Sequence, residues 1–85
     1  MSYRLEWSRS AAREVRRLPV PTALRVASAV GKLAQDPHPT GSKKLVGHSG
    51  LWRIRIGAYR VIYFIDDGVR VFRVERVTDR KDAYR

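Results

Sequence analysis

Three arginines, Arg53, Arg55 and Arg60, fall in one short stretch, Leu51 to Tyr63, that reads Leu-Trp-Arg-Ile-Arg-Ile-Gly-Ala-Tyr-Arg-Val-Ile-Tyr. Guanidinium groups are planar, permanently charged and shaped to donate paired hydrogen bonds to phosphate oxygens. A cluster of them suits binding a phosphodiester and stabilising the charge that builds on it during displacement. Arginine, with a pKa above ~12, is a poor base at neutral pH, so proton transfer needs another group. Tyr84 is a candidate if neighbouring arginines stabilise its phenolate, with Glu75, Asp79 and His48 behind it. Stacking on a base and simple packing are the other roles open to Tyr84. His38 and His48 are separated by a loop and no spaced set of His and carboxylate ligands appears, so a metal is not expected. No glycine-rich phosphate loop or dinucleotide fingerprint is present either, and no cofactor is expected. The inventory suits metal-free cleavage of RNA, in which the 2′-hydroxyl attacks its own phosphate and the protein supplies positioning and positive charge.

The elements that must hold these arginines follow from the same stretch. Apolar and basic residues alternate on both sides of Gly57-Ala58, the pattern of a half-buried β-hairpin. Glycine at the first central position suits a type II′ turn, which pairs Ile56 with Tyr59, Ile54 with Val61 and Trp52 with Tyr63. One face is then wholly apolar. On the other, Arg55 falls opposite Arg60 and Arg53 opposite Ile62. Like charges directly across a strand pair destabilise it by up to ~1 kcal/mol, so stability does not explain the arrangement. A preformed phosphate site explains it; a solvated basic face is the alternative.

Before the hairpin, Tyr3, Leu5 and Trp7 alternate with polar residues and predict a first strand with one face in the core. Ser8 or Ser10 is placed to cap a helix carrying Ala11 or Ala12, Val15 and Leu18 at helical spacing, stopped by Pro19. Pro21 fits the first turn of a second helix with a stripe of Ala23, Val26, Ala27, Val30, Leu33 and Ala34. Arg13, Arg16, Arg17 and Arg25 lie largely off these stripes and read as solvated helix surface. Thr40 to Gly50 reads as an irregular loop, whose Lys43 and Lys44 are candidates for the phosphate backbone. After Tyr63 the strand continues to a turn at Asp66-Asp67-Gly68, and a last strand is expected from about Val69 to Val77. A two-residue turn puts Glu75 opposite Arg60, where it would orient the guanidinium; a three-residue turn slips that pairing by one. The polar end, Thr78 to Arg85, is a fraying terminus by default, yet a sheet edge delivering Arg80 and Tyr84 to the arginine face would complete a site.

Eighty-five residues predict a single domain, 1–85, with a small core. There is no cysteine, hence no disulfide or thiol chemistry. The N-terminal residues lack an apolar signal core and no run suits a membrane span, so a soluble, cytoplasmic protein is expected. A formal net charge of +10 points to a polyanionic partner, and fourteen of the eighteen basic residues are arginine, the type favoured for forked phosphate contacts.

With Lys-Lys-Leu-Val-Gly at 43–47, Gly-Leu-Trp-Arg-Ile-Arg-Ile-Gly at 50–57, Tyr-Arg-Val-Ile-Tyr at 59–63 and Val-Thr-Asp-Arg at 77–80 followed by Tyr84, the chain resembles the RelE family of bacterial toxins over essentially its whole length. The resemblance implies an α+β fold: an N-terminal strand and two helices packed on a mainly antiparallel twisted sheet of about four strands. It implies a ribosome-dependent endoribonuclease cutting mRNA in the ribosomal A site, with Arg53, Arg55, Arg60, Arg80 and Tyr84 as catalytic residues and Lys43, Lys44 and Arg73 on the RNA. It also implies a cognate antitoxin, RelB-like or Phd-like, whose C-terminal segment wraps the basic surface in a hetero-oligomer. Two departures stand out. The family's lysines on the first hairpin strand are arginines here, and the usual His or Lys before the closing arginine is Asp79. The alternatives are a ParE-like gyrase inhibitor without nuclease activity and a non-catalytic nucleic-acid-binding module.

Overall fold

The computed structural model describes residues 3–36, 42–45, 47 and 50–79. In chain order the elements are β1 (Arg4–Trp7), α1 (Arg9–Arg16), α2 (Val20–Gln35), β2 (Lys43–Lys44), β3 (Leu51–Ile56), β4 (Tyr59–Asp66) and β5 (Val71–Asp79). The strands form one sheet in the order β1-β5-β4-β3-β2, with β1 parallel to β5 and the other pairs antiparallel. The sheet thus has five strands, not about four. The extra one, β2, comes from the stretch read as irregular loop; two residues carry no periodicity, and β2 exists only through its pairing with Trp52 and Arg53.

The central hairpin has the expected register throughout: Ile56 opposite Tyr59, Arg55 opposite Arg60, Ile54 opposite Val61, Arg53 opposite Ile62 and Trp52 opposite Tyr63. Gly57 has φ +60°, and Ala58 is not among the residues with positive φ, as a type II′ turn requires.

The next connection departs from expectation. Four residues, Asp67 to Arg70, separate β4 from β5, so the last strand begins at Val71 rather than Val69. The Asp66 carboxylate accepts from the N–H groups of Gly68 (2.9 Å) and Val69 (3.2 Å), and Arg70 takes a left-handed φ of 56° to close the loop. A bulge then follows, because Tyr63 faces Val74 while Ile62 faces Arg76, leaving Glu75 as the extra residue. Loop and bulge together put Thr78, not Glu75, opposite Arg60. The expected orientation of Arg60 by Glu75 is therefore wrong.

Both helices cover one face of the sheet. Val26, Val30 and Leu33 of α2 and Ala11 of α1 pack on Val61, Tyr63, Ile65, Phe72, Val74 and Val77, with the Tyr63 and Phe72 rings stacked at 4.7 Å. Ala27, expected in the α2 stripe, is exposed because it lies about 100° around the helix from Val26. On the edge strand β1, Tyr3 and Trp7 pack against the core, but Leu5 keeps 36% of its surface.

Where β1 ends, α1 takes over the edge of β5. Ser8 caps the helix by accepting from the Ala11 N–H (3.0 Å), and its hydroxyl donates to the Glu75 carbonyl (2.7 Å). Further along the helix, Glu14 accepts from the Val77 N–H at 2.7 Å. Polar groups of a short helix thus satisfy backbone that no strand reaches.

Candidate nucleic-acid interface

The sheet face turned away from the helices carries the arginines in rows set by strand register. Arg55, Arg60 and Thr78 are successive partners across β3, β4 and β5. One row along, Lys43, Arg53, Ile62 and Arg76 run across β2 to β5. Adjacent strands lie about 4.8 Å apart, so guanidinium groups in one row are spaced to share a single phosphate. Lys43 and Lys44 are split by the pleat: Lys43 joins the arginine face opposite Arg53, whereas Lys44 pairs with Trp52 on the helix-facing side.

The arginines differ in exposure. Arg55 is exposed and Arg53 half-buried, while Arg60 keeps only 8% of its surface. Among the described residues no carboxylate lies within ion-pair distance of Lys43, Lys44 or Arg55. Thr78, at the end of the Arg60 row, has a buried hydroxyl oxygen with no hydrogen-bond partner among the described residues.

Arg73 has different surroundings. It lies on the same face, opposite Phe64, with its guanidinium 5.4 Å from the centre of that ring. Glu6 approaches it at 3.6 Å and Glu75 at 4.0 Å, and Glu6 also pairs with Arg4 at 3.2 Å. Arg76, beside the bulge, donates from Nε (2.9 Å) and from its terminal nitrogen (2.7 Å) to Glu14. That bond, followed by the carboxylate's charge, raises the Arg76 pKa above its ordinary value.

Of the candidates for proton transfer, Glu75 belongs to the Arg73 cluster and Asp79 falls opposite Tyr59 on the helix-facing side. His48, Arg80 and Tyr84 lie outside the described residues, as does His38. No group of three or more metal-ligating side chains occurs among the described residues. Burial raises the Tyr63 pKa, a hydrogen bond with Ser42 partly opposing it; the group is a core residue, not a catalyst.

Two features were hidden from the sequence. Thr78 joins the arginine row only once loop length and bulge are known. Glu14 reads as one polar residue on a helix until its strand partner is placed. Arg25, read as solvated surface, is exposed, but its guanidinium reaches the hairpin tip, 3.2 Å from where a side chain on Gly57 would begin.

Residues 5–84 match the family model described as the ParE toxin of type II toxin–antitoxin systems, parDE. The chain therefore belongs to this family of type II toxin–antitoxin system toxins. Within it, the chain is 34% identical over 84 residues to the toxin RelE of Mycobacterium tuberculosis, covering 98% of this chain and 87% of that one. Its structure is similar to the RelBE2 toxin–antitoxin complex of M. tuberculosis, at a TM-score of 0.82 with 29% identity over 94% of this chain and all of the other. It is likewise similar to the archaeal RelE–RelB complex of Pyrococcus horikoshii, at a TM-score of 0.84 with 27% identity over 98% of this chain and all of that one.

Proposed function

We propose that this RelE-type toxin is a ribosome-dependent mRNA endoribonuclease. The observation that carries the reading is the Arg55–Arg60 pair, directly opposed on a rigid hairpin and flanked by Arg53 and Lys43 on the same face. Such a row binds a phosphodiester with forked hydrogen bonds and meets the charge that grows on it in the transition state. The 2′-oxygen of the preceding ribose attacks the phosphorus, the 5′-oxygen of the next nucleotide leaves, and the arginines hold the phosphoryl oxygens. The proton leaves the 2′-hydroxyl and another reaches the departing oxygen; Tyr84 is the residue we assign to this proton transfer, with Arg80 adding positive charge for the phosphate. Arginines in place of lysines on β3 supply charge and geometry but no tunable amine. The substrate is mRNA in the ribosomal A site, which places the action in the cytoplasm.

An antitoxin of RelB type is the cognate partner in this reading. Complexes of RelE with RelB are what the similar solved structures contain. A chain of net charge +10 suits an acidic or amphipathic segment that orders as it covers the basic face.

Primer extension on a defined mRNA in a purified translation system tests the reading. Cuts at fixed codon positions that need ribosomes and disappear in Arg60→Ala are the expected result. Folded wild-type protein that makes no cuts overturns it. Inhibition of gyrase supercoiling by that same protein would assign it the other activity.

A further inference from the structure

Neither packing nor the chemistry of the arginines accounts for Thr78. It is the β5 partner of Arg60, which is itself the β4 partner of Arg55, so it closes that row. Its hydroxyl oxygen is buried and has no hydrogen-bond partner among the described residues. Buried side-chain oxygens are normally paired, and an unpaired one destabilises the fold. Valine has nearly the same shape and an equal liking for strands, and it would remove the defect. A hydroxyl in that position, at the end of a row of two guanidiniums, points to a ligand that supplies the missing partner.

We infer that Thr78 is a substrate-positioning residue whose hydroxyl donates to a non-bridging oxygen of the phosphodiester bound by Arg55 and Arg60. The inference rests on the phosphodiester reading above. Arg60 keeps 8% of its surface and is the direct cross-strand partner of Thr78, so a phosphate held by Arg60 is within one strand spacing of the hydroxyl. The bound phosphate oxygen then satisfies an atom that the free protein leaves unpaired. A neutral donor also does what a third guanidinium would not: it fixes the rotation of the phosphate without adding repulsion to a crowded basic row.

The test compares wild type, Thr78→Val and Thr78→Ser by single-turnover primer extension at saturating programmed ribosomes, with thermal denaturation of each protein alone. Thr78→Val is expected to melt higher, by about 4 °C or more, because the buried defect is gone. It is expected to cleave about tenfold more slowly, the loss of one hydrogen bond to a charged group, while Thr78→Ser cleaves near the wild-type rate. Thr78→Val that cleaves as fast as wild type overturns the inference and leaves the nuclease reading standing. Thr78→Val and Thr78→Ser that are both slow and both less stable assign Thr78 to packing and overturn it as well. Wild type that does not cleave overturns the nuclease reading, and this inference with it.

Discussion

The open face of the sheet has two halves built from the same residue type under opposite rules. Towards β1, arginines meet carboxylates: Arg4 with Glu6, Arg73 with Glu6 and Glu75, and Arg76 with Glu14 beside the bulge. Towards the hairpin, arginine meets arginine: Arg55 lies directly opposite Arg60, with Arg53 and Lys43 one row away. The first arrangement is what a stable surface looks like, and the second opposes stability. Arginine content alone therefore does not mark a site. What sets the two halves apart is the company each charge keeps: Arg55 has no carboxylate within ion-pair distance among the described residues, whereas Arg73 stands near both Glu6 and Glu75.

The comparison breaks most readily at Arg60. Arg60→Ala is expected to lower single-turnover cleavage on programmed ribosomes by about 100-fold or more, the scale of losing one preorganised charge stabiliser. Arg60→Lys keeps the charge without the fork and falls between it and wild type. An Arg60→Ala protein that is folded and fully active would erase the distinction between the halves.

On the balanced side the largest effect is on folding. Glu14 holds both the Arg76 guanidinium and the β5 edge N–H of Val77, and its side chain is 21% exposed. Glu14→Ala leaves that backbone donor without its partner and is expected to cost about 2 kcal/mol in urea denaturation. Cleavage per folded molecule should stay at the wild-type level.

Alkaline pH sharpens the same contrast between core and face. Burial raises the Tyr63 pKa, so above the ordinary tyrosine value of about 10 the folded chain holds a proton that the unfolded chain has lost. Its contribution to stability is complete below that pH and falls as pH rises through the higher folded value. Thermal melts from pH 9 upward should show the decline, and Tyr63→Phe should flatten it.

The smallest effect is expected at Arg73. Its pairs are long and partly exposed, so Arg73→Ala should change stability by about 0.5 kcal/mol or less and cleavage by less than about threefold.

Much of this was legible in the sequence because the hairpin is locally determined. Alternation of apolar and basic residues and Gly57 at the turn set every pairing from Trp52 to Tyr63 without help from the rest of the chain. The helices were legible for a similar reason, since Ser8, Pro19 and Pro21 mark their ends. What failed depended on distant contacts. β2 has no pattern of its own and forms only against β3. The position of Glu75 depended on a turn of four residues and on a bulge, each of which moves the register by whole residues. Thr78 stayed invisible until both were known, and the same slip removed Glu75 from Arg60.

The most direct test sets Arg55→Ala beside Arg73→Ala, measuring single-turnover cleavage on programmed ribosomes and the melting temperature of each protein. Arg55 is the exposed member of the clustered row, so its removal relieves repulsion with Arg60 while withdrawing the phosphate contact proposed for it. The expected result is cleavage slowed by about tenfold or more with an unchanged or higher melting temperature for Arg55→Ala, and near-wild-type cleavage for Arg73→Ala. Equal losses of cleavage from the two variants, or none from Arg55→Ala, would contradict a division of this face into a structural half and a phosphate-binding half.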